Sequence, residues 1–572
     1  MRLGKSKFSA YTLGLIIALA PIGGAAAADV VVKRFAGGTG QNAVGIIEAS
    51  QDTEIDGPQA LTTDENGEIY LLDQVNGRIV GFDPKTPAAE SRILEFPDQL
   101  QPTDLIVRKS DILVWDGSVH MLQPATGKDN TSFRGLEEVT TRAADDQTVV
   151  SAFAQMGSLD PGDATQLLDE NTRAATTLKP QARPRQYVAS RGAGSLVIDV
   201  IPDGDHSGAR IEVRRQGETA GPPTARLAIK VRDRLGAVEF LEIDRNGRMF
   251  VFAEDIPVSF GTAAAFVARY SPAGVLEGIY ELPLSNVPLS RRFVTVSSDG
   301  DVYFLRTQSS GVEVLGVGFR PLSSGKVIDI QVGSSAAPSP ISARGPITAV
   351  RPLTRQRVIE TAFAFEGIQW QVNPAAYGRD PDNVCTGFAG RVRRPFYLHG
   401  KLGQQVRGIP YCWGCFGSLD QIRSKIEHGV LAGNICTHNA PRSDVTGVDC
   451  SAFVSAAWGL AHQFTTSAIP AIAQPVTNPL DLRPGDALDK PGSHVMLFLR
   501  FTSNQMAEVM ESSPGACNGR VCRNVYPLSS LLARGYRPVR FRALVNDTSA
   551  VAQVAPAPEK PQTMAKRPRR RQ

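Results

Sequence analysis

The chain has 572 residues, of which 42% are hydrophobic and 21% charged, a balance that excludes a wholly disordered or fibrous protein. Its 61 basic and 57 acidic residues leave a formal charge of +4, without the concentrated basic face of a nucleic-acid binder, so no nucleic-acid partner is expected. The length allows about four domains, and 53 glycines with 39 prolines predict many turns and therefore many strands.

Residues 1–28 have the layout of a secretory signal peptide. Arg2, Lys5 and Lys7 form a basic n-region, Tyr11 to Ala20 an apolar stretch of h-region length, and Ala25 to Ala28 offer small residues for cleavage. The apolar run is too short to span a bilayer comfortably, and no later stretch has the roughly 18 to 20 apolar residues of a spanning helix. The expectation is a Sec-exported protein, periplasmic or secreted, with no transmembrane segment after cleavage.

Residues 29–332 contain three segments built alike: Ala60 to Asp83, Phe240 to Tyr270 and Phe293 to Phe319. Each has a short strand, an Asp or Ser, an x-Gly turn, and a strand of apolar and aromatic residues. Gly67, Gly247 and Gly300 occupy the turn, where a hairpin needs positive φ. The first segment resembles an NHL-type β-propeller repeat. Stretches around Leu105 to Leu122 and Ser195 to Arg215 are further candidate blades. At roughly 40 to 50 residues a blade, there is room for about six; a β-sandwich is the structural alternative. Residues 143–185 are polar, helix-prone and Pro-punctuated, and read as an insertion or a mobile loop. Asp203-Gly-Asp205-His-Ser207-Gly208 starts like a calcium loop, but its twelfth position is Arg214 where a bidentate Glu is needed, so a polar hairpin turn is expected.

A Pro/Ser-rich linker, 333–353, separates this half from residues 354–546, which hold all seven cysteines: Cys385, Cys412, Cys415, Cys436, Cys450, Cys517 and Cys522. An exported chain forms disulfides, and an odd count leaves one thiol over. Cys517 and Cys522 bracket a short Asn-Gly turn and are the leading pair. Cys412-Trp-Gly-Cys415 is open to three readings: a structural disulfide, a redox pair, or a zinc site with Cys436 and His438.

In Gly447-Val-Asp449-Cys450-Ser451-Ala-Phe453-Val454, Asp449 is a helix N-cap that places Cys450 in the first turn. Unpaired N–H groups and the helix dipole there favour a thiolate and can form an oxyanion hole. His494 opens an apolar strand after Pro484-Gly485-Asp486 and a further Pro-Gly turn, and its ordinary pKa suits proton exchange with a thiol. On the next strand, Glu511 or Ser512 is placed to orient the imidazole, whereas Glu508 reads as a surface charge unless the strand register places it otherwise. Ser418 and Gln421 have capping-box spacing and open a helix running through Glu427.

Four ordered motifs resemble the NlpC-type cysteine peptidases of bacterial cell walls: Pro410-Tyr411-Cys412-Trp413-Gly414, Asp449-Cys450-Ser451-Ala452-Phe453-Val454, Pro484-Gly485-Asp486 and His494-Val495. The resemblance implies a papain-like core, with Cys450 as nucleophile, His494 as base and Tyr411 lining the site. Met510-Glu511-Ser512 stands where the family commonly has a His-bearing strand, so Glu511 takes the third role. The fold expectation is therefore multidomain: an all-β propeller of about six blades followed by an α+β papain-like cysteine peptidase. The implied function is endopeptidase cleavage of peptidoglycan stem peptides, commonly at a D-glutamyl–diamino acid bond, without metal or cofactor. The propeller would target the enzyme or bind an envelope protein. An N-acetylmuramoyl amidase and an inactive envelope scaffold are the alternatives. Residues 547–572 are Ala/Pro-rich, end in a basic cluster and read as a disordered tail.

Overall fold

The computed structural model describes residues 27–49, 53–96, 100, 102–108, 111–116, 119–124, 133–138, 185–188, 195–215, 222–258, 262–284, 290, 292–322, 328, 353–378, 392–436, 443–502 and 505–545. The signal segment before residue 27, the 143–184 stretch, residues 333–352 of the linker and the basic tail lie outside them, as do Cys385 and His438. Among the described residues no helix is long and apolar enough to cross a membrane.

The front half is a succession of mainly antiparallel sheets, three of four strands and two of five. The first joins Ala60–Thr63, Ile69–Asp73, Arg78–Phe82 and Arg92–Glu95 in chain order. The second spans Asp104–Arg108 to Phe133–Glu138, the third Arg185–Val188 to Ala225–Lys230, and the fourth Arg234–Ile243 to Leu276–Glu281. The fifth takes Val294–Val296, Val302–Gln308 and Gly311–Gly316, joined by Val30–Gly37 from the other end of the half, with the two-residue Ala43–Val44 outside it. Meandering sheets of this kind, closed by a strand from the opposite terminus, are propeller blades. The described residues thus form five blades where about six were expected. The first strand of the half completes the last sheet instead of founding one of its own.

The repeated turn explains why the three similar segments fold alike. Asp64 accepts from the backbone N–H groups of Asn66 and Glu68 at 2.9 Å, and Asp244 does the same for Asn246 and Arg248. Ser297 accepts from Asp301 at 3.1 Å. The glycine after each has positive φ: 86° at Gly67, 76° at Gly247 and 89° at Gly300. The side-chain acceptor holds the turn and glycine removes the Cβ that would strain it. Asp203 to Gly208 closes the hairpin between Ser195–Pro202 and Gly208–Arg215, as expected of a polar turn.

Apolar side chains of the first, fourth and fifth blades share one core, those of the third and fourth another, and those of the first and second a third. Arg292, just before the fifth blade, reaches Asp104 of the second with Nε at 3.1 Å and Nη2 at 2.9 Å, and both residues are buried.

The back half wraps helices around a six-stranded sheet. In spatial order its strands are Ala473–Pro475, Arg537–Phe541, Ala487–Lys490, His494–Phe501, Ala507–Ser513 and Arg520–Tyr526. The Cys450–Ala457 helix and the Arg355–Gly367 helix share an apolar core with Val495, Leu497 and Met510. Asp486 is fully buried and accepts from Arg355 at 2.9 Å and from Arg540 at 2.8 Å, tying the first helix to the sheet's far side. Ser418 and Gln421 form the reciprocal capping box of the Leu419–Glu427 helix. Glu508 is completely buried and accepts from Arg500 at 2.7 Å, because helices cover its face of the sheet, where Arg523 stands between it and Glu366 of the Arg355–Gly367 helix.

The two halves are in contact. Ile256 and Ala263 of the fourth blade pack with Leu528 and Leu531 of the Leu528–Ala533 helix. Glu254 accepts from Ser529 N at 2.7 Å and from Ala237 N at 2.8 Å, so a propeller carboxylate satisfies an N–H at that helix's start.

Removing one partner of a buried ion pair strands the other. Asp104→Ala should cost about 3 to 5 kcal/mol of front-half stability, read as a lowered urea midpoint. An unchanged midpoint would mean the ring does not depend on this cross-blade pair.

Candidate active site

The Cys450 helix begins where the sequence places it. Asp449 accepts from Ala452 N at 2.8 Å. Its carboxylate is held from outside by Gly414 N at 2.9 Å and by Gln463 Nε2 at 3.0 Å to each oxygen. Cys450 is the first helical residue and keeps a thiol, while Cys412 is bonded to Cys415, Cys517 to Cys522, and Cys436 is disulfide-bonded too. The zinc alternative fails on this point, since its three cysteines have no thiolate to offer.

His494 opens its strand directly opposite Lys490. Its Nε2 lies 2.6 Å from Glu511 Oε2. The register that pairs Leu497 with Met510 carries Glu511 to the His494 side, and Ser512 to the other, where its hydroxyl donates to Val448 O at 2.8 Å. Of the two candidates, Glu511 is the one that faces the imidazole. Its Oε1 accepts from Asn524 Nδ2 at 2.7 Å and from Tyr526 Oη at 2.8 Å. Sequence reasoning missed these two. Their signal was a pair of polar positions two apart on the last strand, which pointed to one face.

Burial alone would push the His494 pKa down, but the Glu511 hydrogen bond and charge override it and hold the imidazole above its ordinary value. Burial would push Glu511 up, and the donors from His494, Asn524 and Tyr526 hold it below its ordinary value instead. Each group keeps the other's charged form in a place that would otherwise reject it. With Nε2 engaged, Nδ1 is the nitrogen left for a reacting group.

Tyr411 is buried, and its backbone pairs with Val448, two residues before Cys450. Its hydroxyl lies 3.2 Å from Thr53 Oγ1 of the front half. Tyr411, His494 and Glu511 together line a cavity of about 20 Å³, whose remaining wall is Thr53, Glu54, Ile55, Asp56, Ser513, Pro514 and Ala516. Cys450 is 0% exposed and is not part of that wall. Val448, two residues before it, pairs with the backbone of the wall residue Tyr411.

Asp56 is seated on this cleft, with Gly57 N and Gln59 Nε2 donating to Oδ1 at 2.8 and 2.7 Å. Burial, with the Glu511 charge adding to it, pushes its pKa up to about 7. Among the described residues no cluster of His, Cys, Asp and Glu could hold a metal ion.

No protein-family profile matches the chain, and no curated protein does. Solved structures similar to part of it include Kuenenia stuttgartiensis hydrazine synthase, at 11% identity over 46% of this chain and 80% of that one, with a TM-score of 0.23. A streptogramin B lyase matches at 11% identity over 48% and 96%, with a TM-score of 0.20. A luciferin-regenerating enzyme matches at 12% over 50% and 99%, with a TM-score of 0.23.

Two outcomes follow from the charges. Glu511→Gln removes what holds the imidazole up and leaves burial, so the His494 pKa should fall below its ordinary value of 6.5 in an NMR titration. A rise would overturn the pairing. For Asp56, a folded value of about 7 against an ordinary 3.8 means the folded chain keeps a proton that the unfolded chain releases. The associated stability is complete below about pH 4 and lost as pH climbs to about 7. Asp56→Asn should flatten that part of the melting-temperature profile, and an unaltered slope would refute the assignment.

Proposed function

We propose that the back half is an NlpC-type, papain-like cysteine hydrolase, exported from the cell, that cleaves amide bonds in peptidoglycan stem peptides. The observation supporting this reading is the buried Glu511–His494 pair, lining one cleft with Tyr411, whose backbone pairs with Val448 two residues before the Cys450 thiol at a helix start. The disulfides suit an oxidising compartment.

In the proposed reaction the Cys450 proton passes to the imidazole and the thiolate attacks the amide carbonyl. Negative charge develops on the carbonyl oxygen, against N–H groups at the start of the Cys450 helix and the Tyr411 hydroxyl. The C–N bond then breaks, the His494 imidazolium protonates the leaving amine, and a thioester remains. Water, deprotonated by His494, adds to the thioester and expels the thiolate. Glu511 holds the imidazole through Nε2 and favours its cationic form during both transfers. The D-glutamyl–diamino acid bond is the proposed target, and an N-acetylmuramoyl amide would be cleaved by the same steps. The propeller serves to target the wall or an envelope protein.

A catalytically inactive envelope scaffold is the second reading, favoured by the small size of the cleft. Purified peptidoglycan, digested with wild-type and Cys450→Ala protein and read by mass spectrometry, separates the two. The enzyme reading expects soluble fragments from wild type and a loss of about 10⁴-fold or more in the variant. Identical fragment profiles would leave only the scaffold.

A further inference from the structure

The propeller segment Thr53–Asp56 lies across the cleft, and each polar side chain in it is engaged. Thr53 meets the Tyr411 hydroxyl. Glu54 is ion-paired with Lys490 Nζ, and its Oε2 accepts from Tyr536 Oη at 2.7 Å. Asp56 covers Gly515, where an added Cβ would overlap its carboxylate. Arg534 is buried within the electrostatic field of Glu54, and the Glu54 charge also reaches His494. The residues under this strap are sealed. Exposure is 0% at Glu511, 1% at Tyr411 and 5% at His494, and Cys450, off the cleft wall, is 0% exposed as well. A cavity of about 20 Å³ holds roughly one water molecule and cannot admit a peptide.

A cation and a phenol donor gathered around one carboxylate beside the imidazole make a recognition site for a carboxylate. The hairpin register explains its place, because Lys490 pairs with His494 across the Pro491-Gly492-Ser493 turn and so stands on the same face. We propose that Lys490 and Tyr536 form a carboxylate-binding subsite beside His494, which Glu54 occupies in cis, keeping the cleft closed until an acidic peptide displaces the strap. That the displacing peptide is then cleaved rests on the hydrolase reading. The subsite and its closure do not. Opening withdraws Thr53–Asp56, uncovers Tyr411, His494 and the approach to Cys450, and leaves Lys490 and Tyr536 for a substrate carboxylate.

Alkylation of Cys450 by iodoacetamide in the folded, full-length chain reads opening without requiring turnover. Intact-mass measurement should give a slow rate for wild type and a rate about tenfold or more higher for Glu54→Gln and Lys490→Met, each of which loses a charge-assisted contact. Gly515→Ala, whose backbone tolerates the change while its methyl displaces Asp56, should speed alkylation without altering any charge. His428→Gln, on an exposed helix end, should keep the wild-type rate, and melting curves identify any variant that has unfolded. The peptide Thr-Glu-Ile-Asp should restore protection to the Glu54→Gln chain, and Thr-Gln-Ile-Asp should not. Equal rates in wild type, Glu54→Gln and Gly515→Ala would overturn the closure. Equal protection by the two peptides would overturn the carboxylate subsite. Should these expectations hold while wall digestion fails, the strap and subsite stand and the hydrolase reading falls.

Discussion

One hydrogen bond, donated by His494 to Glu511, organises the back half's polar interior. A carboxylate taken out of water is costly, and so is an imidazolium. Neither would stay charged there alone. Together, with Asn524 and Tyr526 donating to the second carboxylate oxygen, they form a pair that holds charge at the rim of an apolar sheet. The pair requires a precise register between two strands. One residue of slip would turn Glu511 to the helix face and bring Ser512 in its place. Cys450's helix is held independently, by the Asp449 cap and its bonds to Gly414 and Gln463. The two groups of the proposed reaction are thus positioned by separate devices that meet at Val448.

The contact between the halves is polar and acidic where it touches the cleft. Asp56 and Glu254 are both buried carboxylates pushed up to about 7, chiefly by burial, and each accepts backbone N–H bonds. Glu54 instead finds a lysine and a tyrosine hydroxyl. The halves are held together by the Glu254–Ser529 hydrogen bond and the Glu54 contacts as well as by apolar packing through Ile256, Leu528 and Leu531. A carboxylate already seated beside the imidazole is what gives the closed cleft its chemical selectivity in the proposed scheme.

Local chemistry was legible in the residues. Helix starts at Ser418 and Cys450 followed from capping side chains, the repeated turn at Asp64, Asp244 and Ser297 from its glycine, and the Cys517–Cys522 bridge from its short loop. The choice between Glu511 and Ser512 was not legible, because it depends on which strand pairs where. Glu508, a surface charge unless the register places it otherwise, is buried because helices cover its face of the sheet, which no local pattern shows. Among the described residues there are five sheets, and the Val30–Gly37 strand completes the last of them by a pairing with the far end of the half that no local pattern shows.

From the amino-acid order alone came the division into a cysteine-free, turn-rich half and a cysteine-bearing half, together with the thiol, imidazole and carboxylate that carry the proposed chemistry. These are properties of side chains and short-range backbone, set within a few residues. Folding in three dimensions decided that Glu54 sits against Lys490 and Tyr536, and that Thr53 meets Tyr411. Those contacts join positions more than 350 residues apart, and no local preference for turn, helix or strand encodes them.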